Sequence, residues 1–235
     1  MKFFDQILDL VYPENLYCIC CGDTMEQSRI HGICDSCSGK ITWAIDNPFE
    51  NQMEDFAFSN VFPCCYYGFY ARRIISRVKL SGSSYAAKGI GLLLGERLKL
   101  EMDNDPDWDP DAVIAVPMHK DKMLARGFNQ AELLACHSAS EAGISYWNSA
   151  LTKIKPTHSM RLSDALTRRQ MLQDAIVISE AYREKIKGKH IILIDDVITT
   201  GSTVDAASRV LLESGAKQVD VLCFAITPNK KSGLL

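Results

Sequence analysis

The stretch HIILIDDVITTGST, residues 190–203, sets the aliphatic run 191–194 directly before two adjacent aspartates, Asp195 and Asp196. Past Val197 and Ile198 come five small residues, four hydroxylic around one glycine. An unbroken aliphatic run of this length reads as a strand buried on both faces. The following STVDAASRVLLES has apolar residues at helical spacing and ends at Gly215, and VDVLCFAI, residues 219–226, is another strand. Strand, helix, strand in that order calls for parallel pairing through a crossover. In such a sheet ligands bind beyond the carboxyl ends of the strands, where Asp195 and Asp196 emerge.

The loop Thr199, Thr200, Gly201, Ser202, Thr203 leads straight into the helix. Its exposed amides, its hydroxyls and the positive end of the helix dipole suit a monophosphate dianion, and Gly201 lets the anion approach the backbone. No lysine follows the glycine, which excludes the phosphate loop of nucleotide triphosphatases. Two acceptor-only carboxylates beside that loop suit a vicinal diol, whose hydroxyls must both donate. The pair of features fits a sugar phosphate. Were the sugar also to carry pyrophosphate, the acids would repel it, and a divalent cation such as magnesium would be needed to offset the charge.

Working outward, DAVIAVP, residues 111–117, is a second buried strand, and MHKDKMLARGF reads as the loop after it. Asn129 caps the helix QAELLACHSASEA, with Glu132 as capping-box partner and Gly143 as its end. Upstream, CCYYGFY reads as a strand and ARRIISRVKLSG as a helix ended by Gly82. In SYAAKGIGLLLGERLKLEM no strand precedes Gly89, Gly91 and Gly95, so these are not a dinucleotide turn. Gly91 and Gly95, one turn apart, instead predict close approach to a neighbouring helix. The acidic EMDNDPDWDPD, residues 101–111, lacks the glycine and glutamate positions of a calcium loop and reads as a solvated connector. Between residues 144 and 178, ALTKI and AIVIS are strand-like pieces separated by the basic RLSDALTRRQ.

Nine cysteines are many for a chain with no sign of secretion, and four of them stand as Cys18-x2-Cys21 and Cys34-x2-Cys37. Two such turns close a tetrahedral sulfur site that selects zinc and leaves no catalytic vacancy. Cys20 could replace a neighbour, and His31 could replace Cys34. Cys64, Cys65, Cys136 and Cys223 lie in apolar surroundings and read as small core residues.

With 235 residues, 47% apolar composition and net charge −3, the chain can bury a full core. The change in patterning places a boundary near residue 60: a zinc module over 1–60 and an α/β domain over 61–235. The charge excludes a basic surface over the whole protein. It leaves room for local clusters, Arg72, Arg73, Arg77 and Lys79 in one place and Arg168 with Arg169 in another. The N-terminal MKFFDQILDLVYP is broken by Asp5 and Asp9, unlike a signal peptide, and no apolar run approaches the roughly 20 residues of a membrane span. A cytoplasmic location is expected. A receiver domain, which also uses adjacent aspartates, would carry them near its start.

IILIDDVITTGST resembles the 5-phosphoribosyl-1-pyrophosphate (PRPP) motif of type I phosphoribosyltransferases. AVPMHKDKMLARGFNQAELLA resembles the Val-Pro-hydrophobic-His segment and Arg-Gly-Phe-Asn-Gln signature of the ComF family of competence-related proteins. The four-cysteine knuckles, YYGFYARRIISRVKLSG and the final strand match that family in order. The resemblance implies a type I phosphoribosyltransferase-like parallel sheet flanked by helices, with a small zinc-knuckle domain at its N-terminus. It implies that Asp195 and Asp196 hold the ribose diol, residues 199–203 the 5-phosphate, and Pro117, Met118, His119 and Lys120 the pyrophosphate side, with magnesium. Arg126 would reach over the site and neutralise charge as pyrophosphate leaves; Asn129 and Gln130 are then caps. The family pattern has a glutamine where this chain has Met160, near Thr157, Arg168 and Arg169.

Two functions follow. One is a magnesium-dependent transferase that moves the phosphoribosyl group to a nitrogen nucleophile. The other is a non-catalytic PRPP sensor or single-stranded-DNA-binding protein working with other DNA-uptake proteins in natural competence.

Overall fold

The computed structural model describes residues 16–25, 31–44, 56–81, 84–154 and 175–227. Its centre is a five-stranded, all-parallel sheet. In chain order the strands are β1 (Val61–Tyr66), β2 (Ala112–Ala115), β3 (Ser145–Tyr146), β6 (His190–Ile198) and β7 (Gln218–Ile226), arranged β1-β7-β6-β2-β3. β4 (Leu151–Lys153) and β5 (Ile176–Ile178) form a separate antiparallel pair. The helices are α1 (Asp35–Ser38), α2 (Phe69–Ser81), α3 (Ser84–Asn104), α4 (Lys120–Arg126), α5 (Gln130–Ala142) and α6 (Ser202–Glu213).

The continuous aliphatic run of β6 follows from burial on both faces. Ile192 and Ile194 pack with Leu134 of α5 and Ile90, Leu94 and Leu98 of α3. The alternate residues Ile191 and Leu193 pack with Val204 and Leu211 of α6. Strand periodicity of two thus divides one apolar segment between two cores. Each fully buried leucine or isoleucine contributes on the order of 2 kcal/mol of transfer free energy.

β6 lies between β7 and β2. The chain leaves β6 through α6 towards β7, and leaves β2 through α5 towards β3, in the opposite direction. The crossovers diverge between β2 and β6, which opens a crevice at their carboxyl ends.

Gly91 and Gly95 act as expected. A Cβ on Gly91 would run into His137 of α5, and one on Gly95 into Glu141, so the two glycines let α3 and α5 touch along their backbones. Gly89 makes a third contact of this kind, against the carbonyl of His31. That contact joins the cysteine knuckles to α3. Ile19, Cys20 and Ile33 of the knuckles share a core with Ile74 of α2 and Ala87 of α3.

Several local expectations are corrected. The strand around CCYYGFY begins at Val61 and stops at Tyr66, and Phe69 already opens α2. The segment after β2 contains α4, which buries none of its residues, capped by His119 and ended by Gly127 in the left-handed region. The acidic connector is not wholly solvated. Its first residues finish α3, and the Trp108 indole is buried, donating to Asp220 Oδ2 at 2.7 Å. Asp220, fully buried near the start of β7, also accepts from Asn60 Nδ2, Gln218 Nε2 and, because a carboxylate only accepts, the His190 Nε2–H at 2.8 Å. This network closes the end of the sheet opposite the crevice. Cys136 is exposed and Cys64 half-buried; Cys65 and Cys223 are core residues as expected. RLSDALTRRQ, with Thr157, Met160, Arg168 and Arg169, lies outside the described residues, as does Gly82.

Candidate functional site

The crevice between the ends of β2 and β6 holds a cleft of about 270 Å³. One wall is the turn after β2, Val116 to His119; the floor is Asp195 and Asp196 at the end of β6. A smaller cavity of about 40 Å³ sits over residues 197–204, and Asp195 and Thr203 line both. Asp195 therefore stands between the two cavities, and Asp196 on the side of the larger one.

The small hollow is lined by all five residues of the 199–203 loop. Gly201 takes φ 74°, the left-handed region, and its carbonyl accepts the Asp205 N–H at 2.8 Å to begin α6. The Thr200 and Ser202 hydroxyls lie 2.9 Å apart. Asp205 is fully buried, pairs with Arg209 and accepts the Ala57 N–H at 2.8 Å. That bond holds the segment before β1 against α6. Phe56 consequently lies over Gly201, where a Cβ would come within 2.9 Å of its ring. The ring packs against the glycine of the loop without lining the hollow, which is formed by residues 197–204 and Asp195.

The carboxylates differ in their surroundings. Loss of water on burial and the negative charge of Asp196 push Asp195 up to about 8, against the pull of the Asp196 N–H, which donates to Asp195 Oδ1 at 2.8 Å, and of Lys79. Asp196 Oδ2 stands 2.7 Å from the Lys79 ammonium, yet the approach is not aligned as a hydrogen bond, so the contact is one of charge. Lys79 comes from α2 and was assigned to a surface cluster in the sequence; its place opposite Asp196 is a product of the fold.

Of the expected pyrophosphate-side residues, Pro117, Met118 and His119 line the cleft. His119 is buried, and its Nδ1 accepts the Asp121 N–H at 3.3 Å as the cap of α4. Lys120 is exposed and does not line the cleft; Lys122, two residues on and so on the other side of α4, does. Lys153 joins from β4, where its backbone bridges His119. Burial holds its ammonium below the ordinary lysine range, Lys122 adds to this, and Asp195 opposes it. Lys122 lies within AVPMHKDKMLARGFNQAELLA and Lys153 within ALTKI, but neither pattern singles out its lysine, and only the fold brings them together.

Arg126 lines the cleft, and its Nη1 donates to Gln130 Oε1 at 2.8 Å. Asn129 is the cap of α5: its Oδ1 accepts the Ala131 N–H while its Nδ2 donates to the Val116 carbonyl. This ties the start of α5 to the turn after β2. Gln130 does not cap; it is 2% exposed and its Nε2 has no partner among the described residues.

The sulfurs of Cys18, Cys21, Cys34 and Cys37 all lie within 4.8 Å of one another, with 3.9 Å between those of Cys21 and Cys34. Four thiolates about 2.3 Å from a zinc would stand about 3.8 Å apart, so the set fits a tetrahedral ion with little movement. Two amides, those of Cys20 and Cys34, point at Cys18 Sγ. Burial raises the Cys18 thiol, but these amides outweigh it and leave its pKa at about 7. Cys20 instead donates to the Tyr70 carbonyl, and His31 Nε2 pairs with Glu96 at 2.8 Å. Both stand outside the four-sulfur set. Among the described residues no helix is long and apolar enough to cross a membrane.

Residues 161–234 match the phosphoribosyl transferase domain family. The chain is 36% identical over 119 residues to DNA utilization protein YhgH of Escherichia coli O157:H7, covering 50% of each chain. It is 34% identical to competence protein F of Haemophilus influenzae, covering 48% of each, and 34% identical to competence protein ComFC of Bacillus subtilis, covering 48% of this chain and 43% of that one. The matched region thus spans about half the length of these relatives. Domain match, named relatives and a parallel sheet with its crevice between β2 and β6 agree with the Arg-Gly-Phe-Asn-Gln resemblance: the chain has a phosphoribosyltransferase-like fold and is similar in sequence to competence proteins of the ComF family.

Proposed function

We propose that the chain binds PRPP with magnesium in the crevice between β2 and β6 and transfers its phosphoribosyl group to a nitrogen nucleophile. The observation that carries this reading is that the two cavities adjoin at Asp195 and Thr203. A ligand with a monophosphate at one end, a diol in the middle and a second, larger anion at the other end matches that order of surfaces. Thr199, Thr200, Gly201, Ser202 and Thr203 hold the 5-phosphate, and Asp195 and Asp196 accept from the ribose hydroxyls. The turn Pro117, Met118 and His119 faces the pyrophosphate, with Lys120 at its exposed end and Lys122 and Lys153 as the cations within the cleft.

Two carboxylates at one end of the cleft suit magnesium, which takes one or two carboxylates and completes its shell with phosphate oxygens and water. When bound, it offsets the charge between the acids and the pyrophosphate. Lys79 releases Asp196 to the ligand, and Arg126 offsets charge as pyrophosphate departs. Zinc on Cys18, Cys21, Cys34 and Cys37 is structural. It fixes the knuckles that pack on α2, the helix that carries Lys79. The modules 1–60 and 61–235 then act together, one setting the position of a side chain in the other's site.

The test is competition. Labelled PRPP bound with magnesium is displaced by ribose 5-phosphate and by pyrophosphate, each occupying one part of the site, and pyrophosphate release is then followed across nitrogen nucleophiles. Binding without release for any nucleophile favours the sensor reading. A second reading, single-stranded DNA binding in DNA uptake, draws on Arg72, Arg73 and Arg77, which are exposed on α2 beside Phe69, an aromatic ring 66% exposed. Oligonucleotide binding that weakens steeply with salt and vanishes on charge reversal of these arginines supports it.

A further inference from the structure

Gln130 is the feature of the cleft that local structure leaves unexplained. It occupies the first position of α5, is 2% exposed, and lines the cleft although its neighbour Asn129 already does the capping. Its amide orientation follows from chemistry. Arg126 has only donors, so the group it meets at 2.8 Å must be the Gln130 oxygen. The amide nitrogen is thereby turned away from Arg126, and it has no partner among the described residues. A buried N–H donor without an acceptor is rare, and where one persists it calls for an explanation.

Arg126 supplies one. It belongs to α4, a helix with no buried residue, held at its ends by the His119 cap and by Gly127 in the left-handed region. The side chain that covers Gln130 is therefore carried by a weakly anchored element. Among the described residues that guanidinium hydrogen-bonds a neutral amide, although the cleft it lines is where an anion would lie.

We propose that Gln130 is a positioning residue for the anionic ligand: it holds Arg126 until the ligand arrives, and the arriving pyrophosphate takes both Arg126 and the Gln130 Nε2–H. This rests on the reading of the cleft as a PRPP site and adds the groups that sense the pyrophosphate end. The exchange balances in hydrogen bonds. Arg126 trades a neutral acceptor for a charged one, which is the stronger bond, and Gln130 gains an acceptor for its idle donor. Ribose 5-phosphate, lacking the pyrophosphate, leaves the parked pair in place.

The experiment measures magnesium-dependent binding of PRPP, pyrophosphate and ribose 5-phosphate to the full chain and to Gln130→Leu and Gln130→Glu, with thermal melts to show that each variant is folded. Gln130→Leu removes the donor at similar volume; Gln130→Glu keeps the shape, ties Arg126 in an ion pair and adds a charge that repels the anion. We expect Gln130→Leu to weaken PRPP and pyrophosphate about tenfold, as for loss of one hydrogen bond to a charged group, and Gln130→Glu to weaken them further, with ribose 5-phosphate unchanged in both. Equal losses for all three ligands, or wild-type affinity for pyrophosphate in Gln130→Leu, overturn the proposal and leave the site reading standing. A wild type that binds none of the three overturns both.

Discussion

Replacing Asp195 by asparagine stabilises the protein, and the gain grows with pH. Burial at the end of β6 and the adjacent charge of Asp196 push the Asp195 carboxyl from 3.8 to about 8. An acid whose pKa is higher in the folded than in the unfolded chain holds its proton more tightly when folded, so its ionisation works against folding. That cost is absent below the ordinary value, grows as pH rises towards about 8, and is constant above it. At about 1.4 kcal/mol per pH unit the interval bounds the cost at about 6 kcal/mol. Water and Lys79 reach the cleft and screen part of it, so the expected gain for D195N is about 2 kcal/mol near pH 8 and below about 1 kcal/mol near pH 5. Asparagine retains the oxygen that accepts the Asp196 N–H, so the substitution changes the charge and little else. Urea unfolding of both proteins, loaded with zinc and followed by tryptophan fluorescence at several pH values, measures the difference; zinc and the titrating groups distant from Asp195 cancel in it. A difference that is flat with pH, or that favours wild type near pH 8, refutes the reasoning.

Other outcomes follow from single contacts. Gly95→Val places a branched side chain against Glu141 and the backbone of α5, and overpacking of this kind lowers stability by about 2 kcal/mol in denaturant titration. Asp220→Ala leaves the Trp108, His190, Asn60 and Gln218 donors without their acceptor, a loss of on the order of 3 kcal/mol or more, seen as a lower urea midpoint with a shifted Trp108 emission. Elemental analysis finds one zinc per chain. Cys34→Ser loses it and lowers the melting temperature, while Cys20→Ser and His31→Ala retain it, because those side chains bond to the Tyr70 carbonyl and to Glu96.

The end of β6 was legible because local and global constraints coincide there. An apolar run long enough for two cores, a glycine that must be left-handed and a helix start are adjacent in sequence, and the Asn129 cap is equally local. Gly91 and Gly95 were legible by spacing alone. What stayed hidden was set by tertiary contact. Lys79, Lys122 and Lys153 come from three elements and meet only in the cleft. Trp108 sits in an acidic, proline-broken stretch, and what draws it inside is the buried carboxylate of Asp220 more than a hundred residues later. Phe56 over Gly201 and His31 against Gly89 are contacts between segments that carry no periodic signal. The short helix Lys120–Arg126 buries nothing, so no apolar stripe announced it.

The most direct test of the account is calorimetric titration of magnesium PRPP into the zinc-loaded wild type and into Asp195→Asn/Asp196→Asn. The account predicts saturable wild-type binding at one site per chain that disappears in the double variant while the fold is kept. Absence of binding by a folded wild type, or equal affinity in the two proteins, contradicts it.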